Sequence, residues 1–228
     1  MRIAGLLVAA TLTAACSQSV GGDAEPPEST RLTAPTSTAP SPTTAAGGRA
    51  PNQNSAIEDV IAWIEAGTPA DASAYHEAYL DGVTTRLGDD VAFTAPAGAP
   101  NKTTQCMTDA AYNDGALSCL VDLDSPAPRP AGAEGMWKPG WVDFAGTTAQ
   151  LGSLHGDPGP FVKGVGPPLP EGHSLTFGDT RCRSDTTGLF CVNYAHQSAI
   201  WISIAGVAPF GCLQPVPASS QAGRMFSC

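Results

Sequence analysis

Thr104-Gln105-Cys106-Met107-Thr108-Asp109, followed by Gly115-Ala116-Leu117-Ser118-Cys119-Leu120-Val121, is echoed by Thr180-Arg181-Cys182-Arg183-Ser184-Asp185 and Gly188-Leu189-Phe190-Cys191-Val192. Each copy reads Thr-x-Cys-x-(Thr/Ser)-Asp, then a loop, a glycine, and a second cysteine inside a β-prone run. Asp and Gly shape turns, so each copy predicts a hairpin whose two strands are cross-linked. The pairing is then local: Cys106 with Cys119 and Cys182 with Cys191, which leaves Cys212 for Cys228. Closing loops of this size contributes roughly 2–3 kcal/mol each in the chain-entropy model. Metal binding by these cysteines would need closer C-x₂-C-type spacing, which they lack.

Working outward, short β-prone runs alternate with Gly, Pro and Asp: Val91 to Thr94, Gly140 to Phe144, Ser174 to Phe177, Phe190 to Tyr194 and Ile200 to Ile204. Asp81-Gly82, between Tyr79-Leu80 and Val83-Thr84, reads as a hairpin turn. Asp71 could instead cap a short helix there; strands are the preferred reading of 75–87. One clear helix precedes them. Ser55-Ala56-Ile57-Glu58 has the form of a capping box, and Ile57, Val60, Ile61 and Ile64 make one apolar stripe. Gly67 and Pro69 should end it, and Trp63 falls on the edge of the stripe. The expected fold is mainly β with one N-terminal helix: a small disulfide-stapled β-rich domain built of hairpins over residues 53–228, with an internal two-fold repeat.

The first 52 residues read differently. Residues 1–15 have the shape of a lipoprotein signal peptide: Arg2, the apolar run Ile3 to Leu12, then Thr13-Ala14-Ala15 before Cys16. The run is shorter than the roughly 20 apolar residues a bilayer span requires. Cys16 is therefore the expected lipidation site, carrying diacylglycerol and palmitate-type acyl chains. That reading also accounts for the odd cysteine, because six of the seven remain to pair. Residues 16–52 form a Pro/Ser/Thr/Ala-rich tether, too poor in bulky apolar side chains to bury a core, with a coil span of roughly 30 Å. The expected location is the outer face of the cell membrane, with an extracytoplasmic domain in a compartment where disulfides persist.

The chain carries 11 basic and 21 acidic side chains, a formal charge of −10. Losing Arg2 with the signal makes it 10 against 21, or −11. Such a balance excludes nucleic acid as an expected partner and disfavours an anionic lipid surface. The membrane is then a partner through the lipid anchor alone, and a cell-wall component or small ligand is the other expected partner.

A family resemblance rests on Phe93-Thr94-Ala95-Pro96, Gly140-Trp141-Val142-Asp143, His155-Gly156-Asp157-Pro158-Gly159-Pro160, Phe177-Gly178-Asp179-Thr180-Arg181-Cys182 and Gly188-Leu189-Phe190-Cys191-Val192-Asn193-Tyr194. These segments, spread over residues 75–228, resemble mycobacterial and related actinobacterial cell-envelope lipoproteins. The resemblance implies a lipoprotein and brings no catalytic residue with it.

Three clusters are candidates for chemistry. His155 and Asp157 could form a base with its orienting carboxylate, which gives a secreted hydrolase as the enzymatic alternative. No G-x-S-x-G elbow or H-E-x-x-H spacing supports it, and Asp-Pro-Gly-Pro is also a common turn. His196, near Tyr194 and Asn193, sits at a predicted strand end, where a polar cluster could hold a ligand. Met136-Trp137-Lys138-Pro139-Gly140-Trp141 has the make-up of an aromatic binding loop, although such Trp residues more often plug a β-core. The residues expected to touch a ligand are therefore Trp137, Trp141, His155, Asp157, Tyr194 and His196, with no catalytic residue, metal or cofactor assigned. A non-catalytic binding or envelope-interaction module is the leading reading, and a structural surface module the remaining one.

Overall fold

The computed structural model describes residues 48–154 and 159–228. Cys16, the signal, most of the tether, and the His155/Asp157 pair lie outside them. In chain order, α1 spans Ile57–Glu65, β1 Thr68–Pro69, β2 Glu77–Leu80, β3 Val83–Arg86, β4 Ala92–Pro96, β5 Thr103–Thr108, α2 Ala110–Asn113, β6 Leu117–Val121, β7 Trp137–Phe144 and β8 Thr148–Leu154. There follow β9 His173–Phe177, β10 Thr180–Asp185, β11 Gly188–Asn193, β12 Ser198–Ser203, β13 Gly206–Gly211, β14 Gln214–Val216 and β15 Ala222–Ser227. The domain is mainly β, as its hairpin signals imply. No helix among the described residues is long and apolar enough to cross a membrane.

Two sheets form a sandwich. One has the order β14-β15-β8-β7-β6-β5-β4 and the other β1-β9-β10-β11-β12-β13. Each contains a run of five consecutive antiparallel strands, β4 to β8 and β9 to β13. The echo in the sequence is therefore an architectural repeat. Cys106 faces Cys119 directly across β5 and β6, and Cys182 faces Cys191 across β10 and β11. All three expected cystines are present. One cross-strand row in the first repeat is Phe93, Cys106, Cys119, Val142 and Leu151. Its counterpart in the second is Leu175, Cys182, Cys191, Ile200 and Pro209. Nine of these ten residues, all but Pro209, belong to the one buried cluster between the sheets. Alternation along a strand puts every second residue on that face.

Both outer faces are also covered. Val60, Trp63 and Ile64 of α1 pack on Phe190, Val192, Ala199 and Phe210 of the six-stranded sheet. The β2–β3 hairpin supplies Ala78, and the 3-10 turn Gly159–Lys163 supplies Phe161, to cover Ala92, Met107 and Trp141 on the other. Strands buried on both faces lose the alternating pattern, so β11 and β12 carry the near-continuous apolar runs Leu189 to Val192 and Ala199 to Ile202.

The structure corrects two local expectations and combines the two readings of a third stretch. The capping box does not form: Ala56 is the N-cap with no side-chain bond, and Ser55 Oγ accepts from Asn52 N–H instead. Residues 137–141 are not a loop but the start of β7, with a register shift between Lys138 and Val142. Gly140 permits this close approach, since a Cβ there would lie 1.8 Å from the Val121 carbonyl oxygen. Finally, Asp71 does cap a short 3-10 turn, Ala72–Tyr75, just ahead of the hairpin, so both readings of that stretch are partly realised.

Candidate functional site

A polar cleft of about 660 Å³ opens at one end of the sandwich. Its walls are the Asp89-Asp90 lead into β4, the β5–β6 connection, the β7–β8 turn, the β9–β10 turn and the β11–β12 turn. Leu117, Phe144 and Phe177 supply apolar lining, while Asp89, Asp90, Asp114 and Asp179 are its carboxylates. No Lys or Arg lines it among the described residues.

Each wall has a local cause. Asp90 accepts from Thr108 Oγ1 at 3.0 Å and from Ala110 N–H at 3.0 Å, which ties the start of β4 to the end of β5. Asp109 caps α2 through Ala111 N–H and pairs with Lys163 at 2.6 Å. Burial pushes the Asp109 carboxyl up, but the Lys163 ammonium and the N–H groups of Ala111 and Tyr112 outweigh it, so the group titrates below its ordinary value. Asp114 takes the left-handed conformation that ends α2, at φ 55°. Across the cleft, Asn193 Oδ1 accepts from His196 N–H, and Tyr194 N–H donates to the Asp179 carbonyl. The two sheets meet at Gly146, whose carbonyl accepts from Ser198 Oγ at 2.6 Å. A Cβ on Gly146 would lie 2.7 Å from both Asn193 and His196 side chains, so the turn needs glycine.

A second, mostly apolar pocket of about 560 Å³ lies at the other end of β4, with Pro96, Pro100, Pro168, Leu169 and Pro170 in its lining. The two concavities share a plan. Each uses the segment leading into the first strand of one repeat, the first hairpin turn of the other repeat, and the second connection of the first. In the cleft these are Asp89-Asp90, Phe177 to Thr180, and Thr108 to Leu117. In the pocket they are Pro168 to Glu171, Pro96 to Thr103, and Thr186. The repeat has thus been furnished once with polar and once with apolar walls.

The residues expected to touch a ligand do not gather in one place. His196 lines the cleft and is exposed, with Asn193 beside it. Trp141 is fully buried, donates from its indole N–H to Asp143 at 2.8 Å, and meets Phe161 edge-on. It therefore presents no face on which a ligand could stack. Trp137 is half-buried, donates to the Ala127 carbonyl, and lies over Gly152 and Gly223. Tyr194 packs with the α1 cluster beside Arg181 and Glu65, and burial raises its phenol. Ser153, the serine nearest His155 in sequence, is buried in β8. The cleft carboxylates were not singled out by the sequence; their signal was the turn pair Asp114-Gly115 and the inverted Gly178-Asp179, which mark loops without saying that the loops converge.

Among the described residues no group of His, Cys, Asp and Glu is arranged to hold a metal ion. The chemistry on offer in the cleft is charge pairing and hydrogen bonding above an apolar lining. Comparisons with family models, with curated proteins and with solved structures find no match to this chain.

Proposed function

We propose that this chain is a lipid-tethered binding module of the cell envelope and that the polar cleft is its ligand site. The cleft carries the reading: a concavity of about 660 Å³ falls within the size range of ligand sites, roughly 300–1,000 Å³, and combines apolar lining with convergent polar groups. Four carboxylates and no Lys or Arg among the described lining residues select a ligand with a positive group, such as a primary amine, joined to an apolar part. The anchor half of the reading is supported by the Ile3-to-Leu12 run ending at Cys16 and by the Pro/Ser/Thr/Ala composition of the tether. The resemblance to actinobacterial lipoproteins agrees with it.

The test is titration of the purified chain with spermidine and other alkyl amines against their neutral amide counterparts. Amines should bind and amides should not, and Asp114→Asn with Asp179→Asn should weaken binding by about tenfold. Binding that ignores both charge and substitution, or no binding by any amine, removes the cleft as the site. For the anchor, Cys16→Ser should leave the membrane fraction or accumulate as precursor; fractionation like wild type would refute it.

The apolar pocket favours a second reading, in which an apolar ligand enters between Pro96, Pro100 and Pro168. A bulky substitution there, Ala99→Phe, would block that ligand and leave amine binding intact. The hydrolase alternative rests on His155 and Asp157. It requires turnover of esters, peptides or glycosides that disappears in His155→Ala with the fold preserved.

A further inference from the structure

We propose that the Cys212–Cys228 cystine is a thiol–disulfide exchange site whose reduction by a small or protein dithiol loosens the polar cleft. The exchange site stands on the geometry below; its meaning as control of a ligand site rests on the reading of the cleft given above.

The three cystines differ in place. Cys106–Cys119 joins neighbouring strands within one sheet and Cys182–Cys191 does so within the other, and all four residues are 0 % exposed. Cys212 follows β13 of the six-stranded sheet, and Cys228 follows β15 of the seven-stranded one. This cystine alone of the three ties the sheets to each other, and both its residues are exposed. Thiolate attack needs access to a sulfur, so exposure separates the labile cystine from the two inert ones.

Its sulfurs lie against two turns that wall the cleft, without lining it themselves. Cys212 Sγ is 3.5 Å from the His196 carbonyl oxygen, and Cys228 Sγ is 3.9 Å from that of Gly146. The Cys228 backbone N–H also donates to Thr147. Those carbonyls belong to the β11–β12 and β7–β8 turns, which contribute His196, Asn193, Phe144 and Ala145 to the cleft. The staple therefore clamps together two turns from opposite sheets.

One thiolate of the dithiol attacks one of the two sulfurs, the Cys212–Cys228 bond breaks, and the other cysteine leaves as a thiolate and takes up a proton. The second thiol of the reductant attacks the mixed disulfide, frees the remaining cysteine, and closes the reductant into its own disulfide. Two electrons and two protons pass to the protein. The new S–H groups find acceptors already in place, the His196 and Gly146 carbonyls. With both core cystines intact, the turns are left joined by the Ser198–Gly146 hydrogen bond and by the packing of Gly146 against Asn193 and His196, with no covalent link between them.

The experiment treats the folded, full-length chain with graded dithiothreitol, alkylates with iodoacetamide and maps the peptides. Cys212 and Cys228 should be labelled at reductant concentrations at least about tenfold below those that label the other four. Hydrogen exchange should then accelerate by about tenfold in peptides covering 144–147 and 193–197, and stay unchanged over 117–121. Spermidine affinity should fall on reduction. Simultaneous reduction of all three cystines overturns the proposal, as does selective reduction with unchanged exchange in the two turns. The Cys212→Ser/Cys228→Ser chain should reproduce the reduced exchange pattern; its failure to fold would also overturn the proposal, because the reduced form has to remain native. If the oxidised chain binds no amine while reduction is selective and the turns loosen, the ligand reading falls and the exchange site stands.

Discussion

Arg183 shows how a single residue can answer a need created elsewhere in the chain. The last turn of α1 contains no basic residue; its Ala62 and Ile64 carbonyls accept from Ala66 and Gly67 N–H, which leaves those of Trp63 and Glu65 to donors outside the helix. Arg183, 8 % exposed on β10, donates from Nη1 to the Trp63 carbonyl and lays its guanidinium 3.9 Å from the centre of the Trp63 ring. Arg181, two residues earlier on the same face, donates to the Glu65 carbonyl at 3.2 Å. Burial holds the Arg183 guanidinium below its ordinary value. Arg183→Met keeps much of the bulk but removes the donor and the cation–π contact. It should cost about 2 kcal/mol in urea denaturation, and the more exposed Arg181→Met about 1 kcal/mol or less. Equal costs, or none, would show that the two arginines do not serve the helix end. Asp109 gives a pH prediction. Its folded value lies below the unfolded one of about 3.9, so its contribution is present above that pH and is lost as pH falls through the folded value. Asp109→Asn should therefore lower stability at neutral pH and make the acid limb of the stability profile shallower; an unchanged limb would contradict the Lys163 pairing.

At the scale of elements, the echo around the cysteines was legible because a directly opposed cystine needs two strands in one register, and register is a sequence-local property of a hairpin. The strands β8 and β15 were not legible. Gln150, Gly152 and Gly223 interrupt their apolar runs, and they pair with each other across a long stretch of chain, as when Ala222 faces Ser153. Gly140 marks another limit. The sequence offers it both as the end of an aromatic loop and as the start of a β-prone run; in the fold it lets β7 run against Val121. Gly140→Ala should cost about 3 kcal/mol or more by forcing β6 and β7 apart, read as a lowered denaturation midpoint. A variant as stable as wild type would mean the bulge adjusts freely. Serine pairs at Cys106/Cys119 and at Cys182/Cys191 should each cost about 2–4 kcal/mol.

At the scale of the whole molecule, the two repeats are halves of one core. The inner faces of both sheets contribute to a single buried cluster that includes Phe93, Val142, Leu175 and Ile200. Residues 88–154 or 168–213 expressed alone should therefore show no cooperative thermal transition by circular dichroism, because each would expose an inner face. A cooperative transition from either piece would make the repeat an autonomous domain. Electrostatics acts at this scale too. Asp89, Asp90, Asp114 and Asp179 come from three separate connections, and the shared field in the cleft exists only when both sheets are in place. Amine binding should accordingly weaken as salt is raised from 20 to 500 mM, roughly in line with screening over a Debye length of about 10 Å at 0.1 M.

What the sequence by itself determined is what depends on neighbours along the chain: the hairpins, the β content, the position of α1 and the partner of each cysteine. A turn residue or a pair of half-cystines a dozen positions apart acts through local geometry, so its consequence can be read in place. The tertiary structure decided which faces are doubly buried, that Trp141 lies inside while His196 lies at a cleft, and that five connections remote in sequence meet at one end of the sandwich. Those outcomes follow from how two twisted sheets pack and which turns that packing brings together, and packing is set by the summed shape of many side chains, with no short pattern to record it.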